Sequence, residues 1–500
     1  MSAITSIKPE LLAFTWEHFL ILLPYVFVFG AAALAMFFAF FRSPLIKWPV
    51  FLVTVVGALM GIASSWYLLE VPSTLLFNEM MVVDSYSSFF SVVFISFALL
   101  TVLLSFRYLD REELNYPEYY ILVLFSCFGM MLMASALDLI VLFIALELMS
   151  LAIYVLVAFR RHDRMSNEAA VKYFVLGSVA SAILLYGVAL LYGATQTTNI
   201  KGILAFVQVN TGSVNLLFVL GAWLVTVGFL FKVACVPFHV WMPDVYEGAP
   251  TPITAFMTTG LKAAAFAAFI RVFVYLGYGK MVIASIESHI HGLLWFGSVA
   301  TMIVGNVIAL KQNNVKRMLA YSSIAHTGYI LVGFLIGPGE GNYASIVTYL
   351  VIYAIMNMGA FAVLTVVASK GDGGLNMQDF AGLSKRSPWL AFALALFLFS
   401  MAGIPPTAGF IGKFYLFYSA VQANEILLVV IAVLCSAISI YYYLRVVVQM
   451  YMRTPDGQLA PISVPFLSVI VIGLTGISTV QLGILPSFLL NMAKKAVGGL

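Results

Sequence analysis

Apolar residues run along this chain in blocks of roughly 20, each long enough to cross about 30 Å of hydrocarbon as a helix. The blocks are continuous and do not alternate with polar residues, so they read as helices and not as outer-membrane strands. About fourteen such spans are expected, near 18–41, 48–69, 85–106, 117–136, 138–159, 168–192, 214–245, 252–277, 290–310, 316–337, 343–368, 388–421, 425–450 and 463–490. Spans seven and twelve are too long for one simple crossing, and they contain Pro237 and Pro405-Pro406. A proline inside a helix removes a hydrogen bond and clashes with the preceding turn, so both helices should be broken there. The expected fold class is therefore an all-α polytopic membrane protein.

The polar interruptions set an orientation. Connections after odd-numbered spans carry Arg42, Lys47, Arg107, Arg111, Arg160, Arg161, Arg164, Lys311, Lys316, Arg317, Lys370, Lys385, Arg386 and Arg453. Those after even-numbered spans carry little beyond Lys201 and Lys280. Basic loops stay in the cytoplasm, which places both termini outside. The segment Phe229-Leu230-Phe231-Lys232-Val233-Ala234-Cys235-Val236-Pro237 aligns with Phe397-Leu398-Phe399-Ser400-Met401-Ala402-Gly403-Ile404-Pro405 at an offset of 397 − 229 = 168. The two copies lie five spans apart, and an odd separation means opposite orientations in the membrane, as in inverted-repeat transporters.

Composition agrees with this class and excludes others. The hydrophobic fraction is 63%, the charged fraction 9% and the mean hydropathy +1.04, whereas soluble domains carry about 25% charged residues. The net charge of +4 mainly reports loop orientation, and no basic run with interleaved aromatics suggests nucleic acid. Cys127, Cys235 and Cys435 stand singly in apolar runs, so iron–sulfur, zinc and c-type haem ligation have no support. A nucleotide-binding glycine loop is likewise absent from the sequence. The first span is too long for a signal-peptide core and is expected to be retained.

An ionisable group in hydrocarbon costs about 2.5–3.5 kcal/mol on insertion scales, so each one in a span is a candidate functional residue. Glu147 stands in span five, Lys172 near the start of span six, Lys232 five residues before Pro237, Lys262 in span eight, His326 in span ten and Lys413 just after the second break. Plainer roles stand beside the functional one: Lys172 near its helix end can snorkel, His326 can be an interhelical donor, Glu147 can be a structural partner for a lysine, and His239 can cap the first broken end. Burial penalises the ammonium form of a lysine and a nearby glutamate favours it, so making or breaking one ion pair switches a lysine between holding and releasing a proton. Unpaired backbone at the breaks can line a hydrated cavity, and Gly403, Gly409 and Gly412 allow close backbone approach.

With these residues, the chain resembles the antiporter-like subunits of respiratory complex I, which are related to Mrp-type cation/proton antiporter subunits. The resemblance spans essentially the whole chain. It is strongest from Glu147 through Glu168-Ala169-Ala170-Val171-Lys172-Tyr173, from Lys232 to Pro250, from Lys316 to His326, and from Ala402 to Phe414. It implies fourteen helices with two inverted five-helix units, Glu147 paired with Lys232, Lys262 as a connecting lysine and Lys413 as the terminal group. A lysine at that last position, and a chain stopping at Leu500 without a long extension, resemble the subunit N (subunit 2) type.

The implied domains are residues 1–116 (three N-terminal helices), 117–280 (first repeat, broken near Pro237), 281–455 (second repeat, broken near Pro405) and 456–500 (one C-terminal helix). The implied activity is proton translocation by a non-redox subunit of NADH:quinone oxidoreductase. Such a chain binds no cofactor, with flavin, iron–sulfur clusters and quinone in partner subunits and other membrane-arm subunits as neighbours in the bilayer. An Mrp-type Na⁺/H⁺ antiporter subunit, the membrane arm of a membrane-bound hydrogenase and a purely structural scaffold are the alternatives.

Overall fold

A computed structural model describes residues 15–41, 46–210, 215–276, 284–336, 340–454 and 462–500, without the side chains of 284–289 and 340–342. The sequence-derived domain boundaries at 280/281 and 455/456, with Arg42 and Lys280, lie outside these residues. The principal helices are α1 (Leu23–Ala39), α2 (Lys47–Leu68), α3 (Ser85–Arg111), α4 (Glu118–Ser135), α5 (Leu139–Val157), α6 (Arg164–Thr195), α7 (Leu216–Lys232), α8 (Trp241–Gly248) and α9 (Thr251–Tyr275). They continue as α10 (Ala284–Ala309), α11 (Val315–Phe334), α12 (Glu340–Val367), α13 (Pro388–Ala402), α14 (Ala408–Gln422), α15 (Ile426–Met452), α16 (Phe466–Ile484) and α17 (Ser487–Val497). Among the described residues, 10 helices are long and apolar enough to cross a membrane. α1, α7 and α13 are shorter apolar helices.

Helix α11 is not among the 10, because Ser322, Ser323, His326 and Thr327 interrupt its apolar character. Those residues are buried inside the bundle, where polar groups in a membrane protein find partners. α9 occupies the centre: every residue from Thr251 to Phe273 is buried. Its alanines, Ala263-Ala264-Ala265 and Ala267-Ala268, let neighbouring helices approach closely. One turn of α9, Met257–Leu261, is a π-helix that ends at Lys262. α2, α6, α15 and α16 lie outside and expose apolar faces such as Leu52, Val179, Leu434 and Ile477.

Local rules account for several element ends. Asp84 caps α3, accepting from Ser87 N–H while Ser87 returns a hydrogen bond to the Asp84 backbone. The same carboxylate pairs bidentately with Arg271 of α9, at 3.0 and 2.9 Å, and both side chains are buried. Neither residue was singled out from sequence, although an arginine within Phe266–Tyr275 carries the same insertion cost as the lysines. Two short antiparallel strands, β1 (Thr74–Leu76) and β2 (Met81–Val83), precede Asp84 and interrupt the all-helical expectation. The last span also differs from expectation. It ends at Ile484, and Pro486, which has no N–H to continue the ladder, opens the separate α17 with Lys494 and Lys495 in its last turn.

Helices α10 and α11 pack along each other with two glycines at the crossing. A Cβ on Gly305 would lie 2.6 Å from the Ala325 nitrogen, and one on Gly328 would lie 2.8 Å from the Met302 nitrogen. Close approach of this kind is the main attraction available between helices in lipid. Gly328→Leu is therefore expected to force the two helices apart at a cost of at least about 1–3 kcal/mol. It should lower the thermal unfolding midpoint of the detergent-solubilised protein, whereas a substitution at the open Gly473 should leave it unchanged.

Candidate functional site: two broken helices and their lysines

Both overlong spans are broken, and they end their first halves in the same way. After α7, Cys235 N–H donates to Leu230 O (2.9 Å) and Ala234 N–H to Phe231 O (3.0 Å), with Ala234 at φ 57°. After α13, Ile404 N–H donates to Phe399 O (3.1 Å) and Gly403 N–H to Ser400 O (3.0 Å), with Gly403 at φ 88°. This is the left-handed C-terminal motif in which the chain turns back over its last turn. The matching positions differ by 403 − 234 = 169, one more than the sequence offset of 168. The structural counterpart of Pro237 is thus Pro406, because the turn acceptors Leu230 and Phe231 correspond to Phe399 and Ser400.

Each motif leaves carbonyls at the helix end, where the dipole favours a cation. At the second break Lys413, carried on α14, turns back and donates to Met401 O (2.8 Å) and Ala402 O (3.2 Å), and to Ser436 Oγ (2.8 Å). At the first break the Val233 carbonyl accepts from Thr327 Oγ1 (2.8 Å). That same hydroxyl accepts from Lys262 Nζ (2.9 Å), which also donates to Ser323 O (2.7 Å) and Ser323 Oγ (2.6 Å). The carbonyl that Lys413 holds directly in one break is held through threonine by Lys262 in the other.

Lys232 occupies the last turn of α7 and donates to Ser150 Oγ (3.0 Å). Ser150 lies three residues beyond Glu147 on α5, so lysine and glutamate dock one turn apart on one helix face. The half-buried Glu147 accepts from Ser181 Oγ of α6, and no ion pair joins it to Lys232 in this structure. Lys232, Lys262 and Lys413 are buried, and among the described residues none of them forms an ion pair. Each instead has at least one hydroxyl partner, a group that accepts from an ammonium and can donate to an amine.

His326 lies between these lysines on α11. Its Nδ1 is 2.6 Å from Tyr349 OH and its Nε2 3.2 Å from Tyr443 OH, which in turn meets Ser322. Tyr353 links the halves: its hydroxyl is 2.6 Å from Ser323 Oγ, and its ring lies 5.2 Å from the imidazole. On the far side, Lys413 Nζ sits 5.2 Å over the ring of Tyr329. The hydroxyl connectors Ser150, Ser323, Thr327, Tyr353 and Ser436 were not found from sequence. A search for hydroxyls within one turn of His326 would have flagged Ser323 and Thr327; nothing local marks Ser150, Tyr353 or Ser436.

Lys172 stands apart from this line. Its ammonium is 2.7 Å from both Glu168 and Asp244, and Asp244 and Glu247 also pair with Arg317 at 2.8 and 2.7 Å. His239 lies in the chain between α7 and α8, and Met242 N–H donates to its carbonyl at 3.0 Å.

Broken membrane helices whose ends meet buried lysines define a polytopic helical protein of the antiporter-like class. The chain belongs to the NADH:quinone oxidoreductase/Mrp antiporter transmembrane family, whose model matches residues 136–481. It is 46% identical over 446 residues to NADH-quinone oxidoreductase subunit N of Trichlorobacter lovleyi, covering 89% of each chain. Its structure resembles a chain of respiratory complex I from Thermus thermophilus with bound aureothin, at 31% identity and a TM-score of 0.79, over 94% of this chain and 98% of that one. A chain of the Mrp complex from Dietzia sp. shares the fold, with a TM-score of 0.82 at 21% identity over 97% of both chains.

Thr327→Val is expected to leave the Val233 carbonyl without its donor and Lys262 short of one acceptor. The cost should be about 1–3 kcal/mol, read as a lower thermal midpoint, with Thr327→Ser close to the parent protein.

Proposed function

We propose that this chain is a proton-translocating, non-redox membrane subunit of an NADH:quinone oxidoreductase. The observation that carries the reading is the hydroxyl beside each of the three buried lysines without an ion pair, Lys232, Lys262 and Lys413. An ammonium needs acceptors and an amine needs a donor, and Ser150, Ser323, Thr327 and Ser436 serve both forms without a counter-ion that would lock the lysine charged. Family membership and the subunit N relatives support the assembly in which this would operate.

In this reading, electron transfer in partner subunits perturbs the Glu147–Lys232 neighbourhood. A proton then passes by way of Lys262 and His326 toward Lys413, with water completing the steps between groups that do not touch. Flavin, iron–sulfur clusters and quinone would reside in partner subunits. The fourteen-span count, the inverted units at 117–280 and 281–455, and termini on the periplasmic side belong to the same proposal. The paired breaks and the asymmetric basic loops support them.

In vesicles carrying the intact complex, Lys232→Ala and Glu147→Ala should each lower proton pumping while the complex still assembles. Unchanged pumping in both assembled variants would overturn the relay.

A further inference from the structure

Several helix ends converge on one carboxylate at the side of the basic loops. Asp372, in the loop after α12, is buried and receives Thr251 N–H (3.0 Å), Tyr108 OH (3.2 Å) and Lys316 Nζ (3.3 Å). Arg160 and Arg111 approach the same carboxylate at 3.5 and 3.8 Å. All three cations also hold backbone: Arg111 Nη1 donates to Thr365 O (3.1 Å) and Ala368 O (2.6 Å), Arg160 Nη2 to Gly248 O (3.1 Å) and Lys316 Nζ to Ala249 O (2.5 Å). The segment from Gly248 to Thr251 joins α8, the second half of the broken helix, to α9, which carries Lys262. Its Gly248 and Ala249 carbonyls and its first helical N–H are therefore held by this one cluster.

The cluster also fixes a register. α9 and α11 both start at Asp372, the first through Thr251 and the second through Lys316. Deeper in the bundle the same two helices meet again, where Lys262 donates to Ser323 and Thr327. Lys316 and Ser323 are seven residues apart, roughly 10.5 Å along one helix face. Asp372 is thus the outer rung and Lys262 the inner rung between one pair of helices.

We propose that Asp372 is a positioning residue for Lys262, setting the register of α9 against α11; this rests on Lys262 taking part in proton transfer. Burial alone would raise the Asp372 carboxyl, but Lys316 and Arg160 hold it below the ordinary carboxylate value. The rung is therefore ionised at neutral pH. Its contribution to stability is present above about pH 4 and lost as pH falls through the lowered value.

Two variants of the intact complex test this. Thr251→Pro removes only the N–H given to Asp372, since proline suits the first helical position and the Thr251 hydroxyl has no partner. Asp372→Asn with Lys316→Met removes one charge of each sign, leaving Arg111 with Glu112 at 3.0 Å and Arg160 with Asp163 at 3.2 Å. Both should assemble and lose the same fraction of pumping per assembled complex as Lys262→Ala. Hydrogen exchange of the first two turns of α9 should rise with them, and single Asp372→Glu, which keeps the charge, should recover part of the pumping. Parental pumping in assembled Thr251→Pro, or in the double variant if only that one assembles, would overturn the positioning role. If Lys262→Ala itself pumps normally, the relay reading fails instead, whatever the cluster variants do.

Discussion

A helix that ends inside hydrocarbon leaves carbonyls with no water to accept from, and this constraint organises the centre of the molecule. Breaking α7 at Lys232 and α13 at Ala402 creates such ends twice. Each is closed first by the chain itself, through the left-handed turn at Ala234 or Gly403, and then by a side chain from elsewhere. The outside donor is Thr327 in one case and Lys413 in the other. At the second break a lysine fills that role, so the group that closes the helix end is the same ammonium that the proposed relay would use.

Two kinds of buried charge follow. Asp84 with Arg271, and Asp372 with its three cations, are ion-paired anchors in which removing one partner would strand the other. Lys232, Lys262 and Lys413 rest on hydroxyls and carbonyls instead. The anchors sit where helices begin or end and fix position. The neutral-held lysines lie along the middle of the bundle, where a change of protonation costs no counter-ion. This division separates charges held by a counter-charge from lysines held by neutral groups, the set to which the proposed relay belongs.

Lys172 illustrates why a membrane lysine cannot be sorted by type alone. Its neighbours in sequence are as apolar as those of Lys262, yet its ammonium reaches Glu168 one turn earlier and Asp244 on α8. The charge is neutralised at a half-exposed site. Lys262, with no acid within a turn on its own helix, finds the Ser323 carbonyl and the hydroxyls of Ser323 and Thr327 on α11.

Much of this was legible in the chain itself. Uninterrupted apolar blocks require helices in a membrane, and Pro237 and Pro405-Pro406 require those helices to break, because a missing N–H and a ring clash act locally. The insertion cost of each ionisable residue marked Glu147, Lys232, Lys262, His326 and Lys413. Contacts between residues far apart in sequence were not legible. Ser150 under Lys232, Tyr353 beside Ser323, the one-residue shift between the two breaks and the convergence on Asp372 depend on how helices stack. Lipid-facing and protein-facing sides are equally apolar, so sequence pattern carries little information about that stacking. Only the packed bundle decided which hydroxyl each lysine meets.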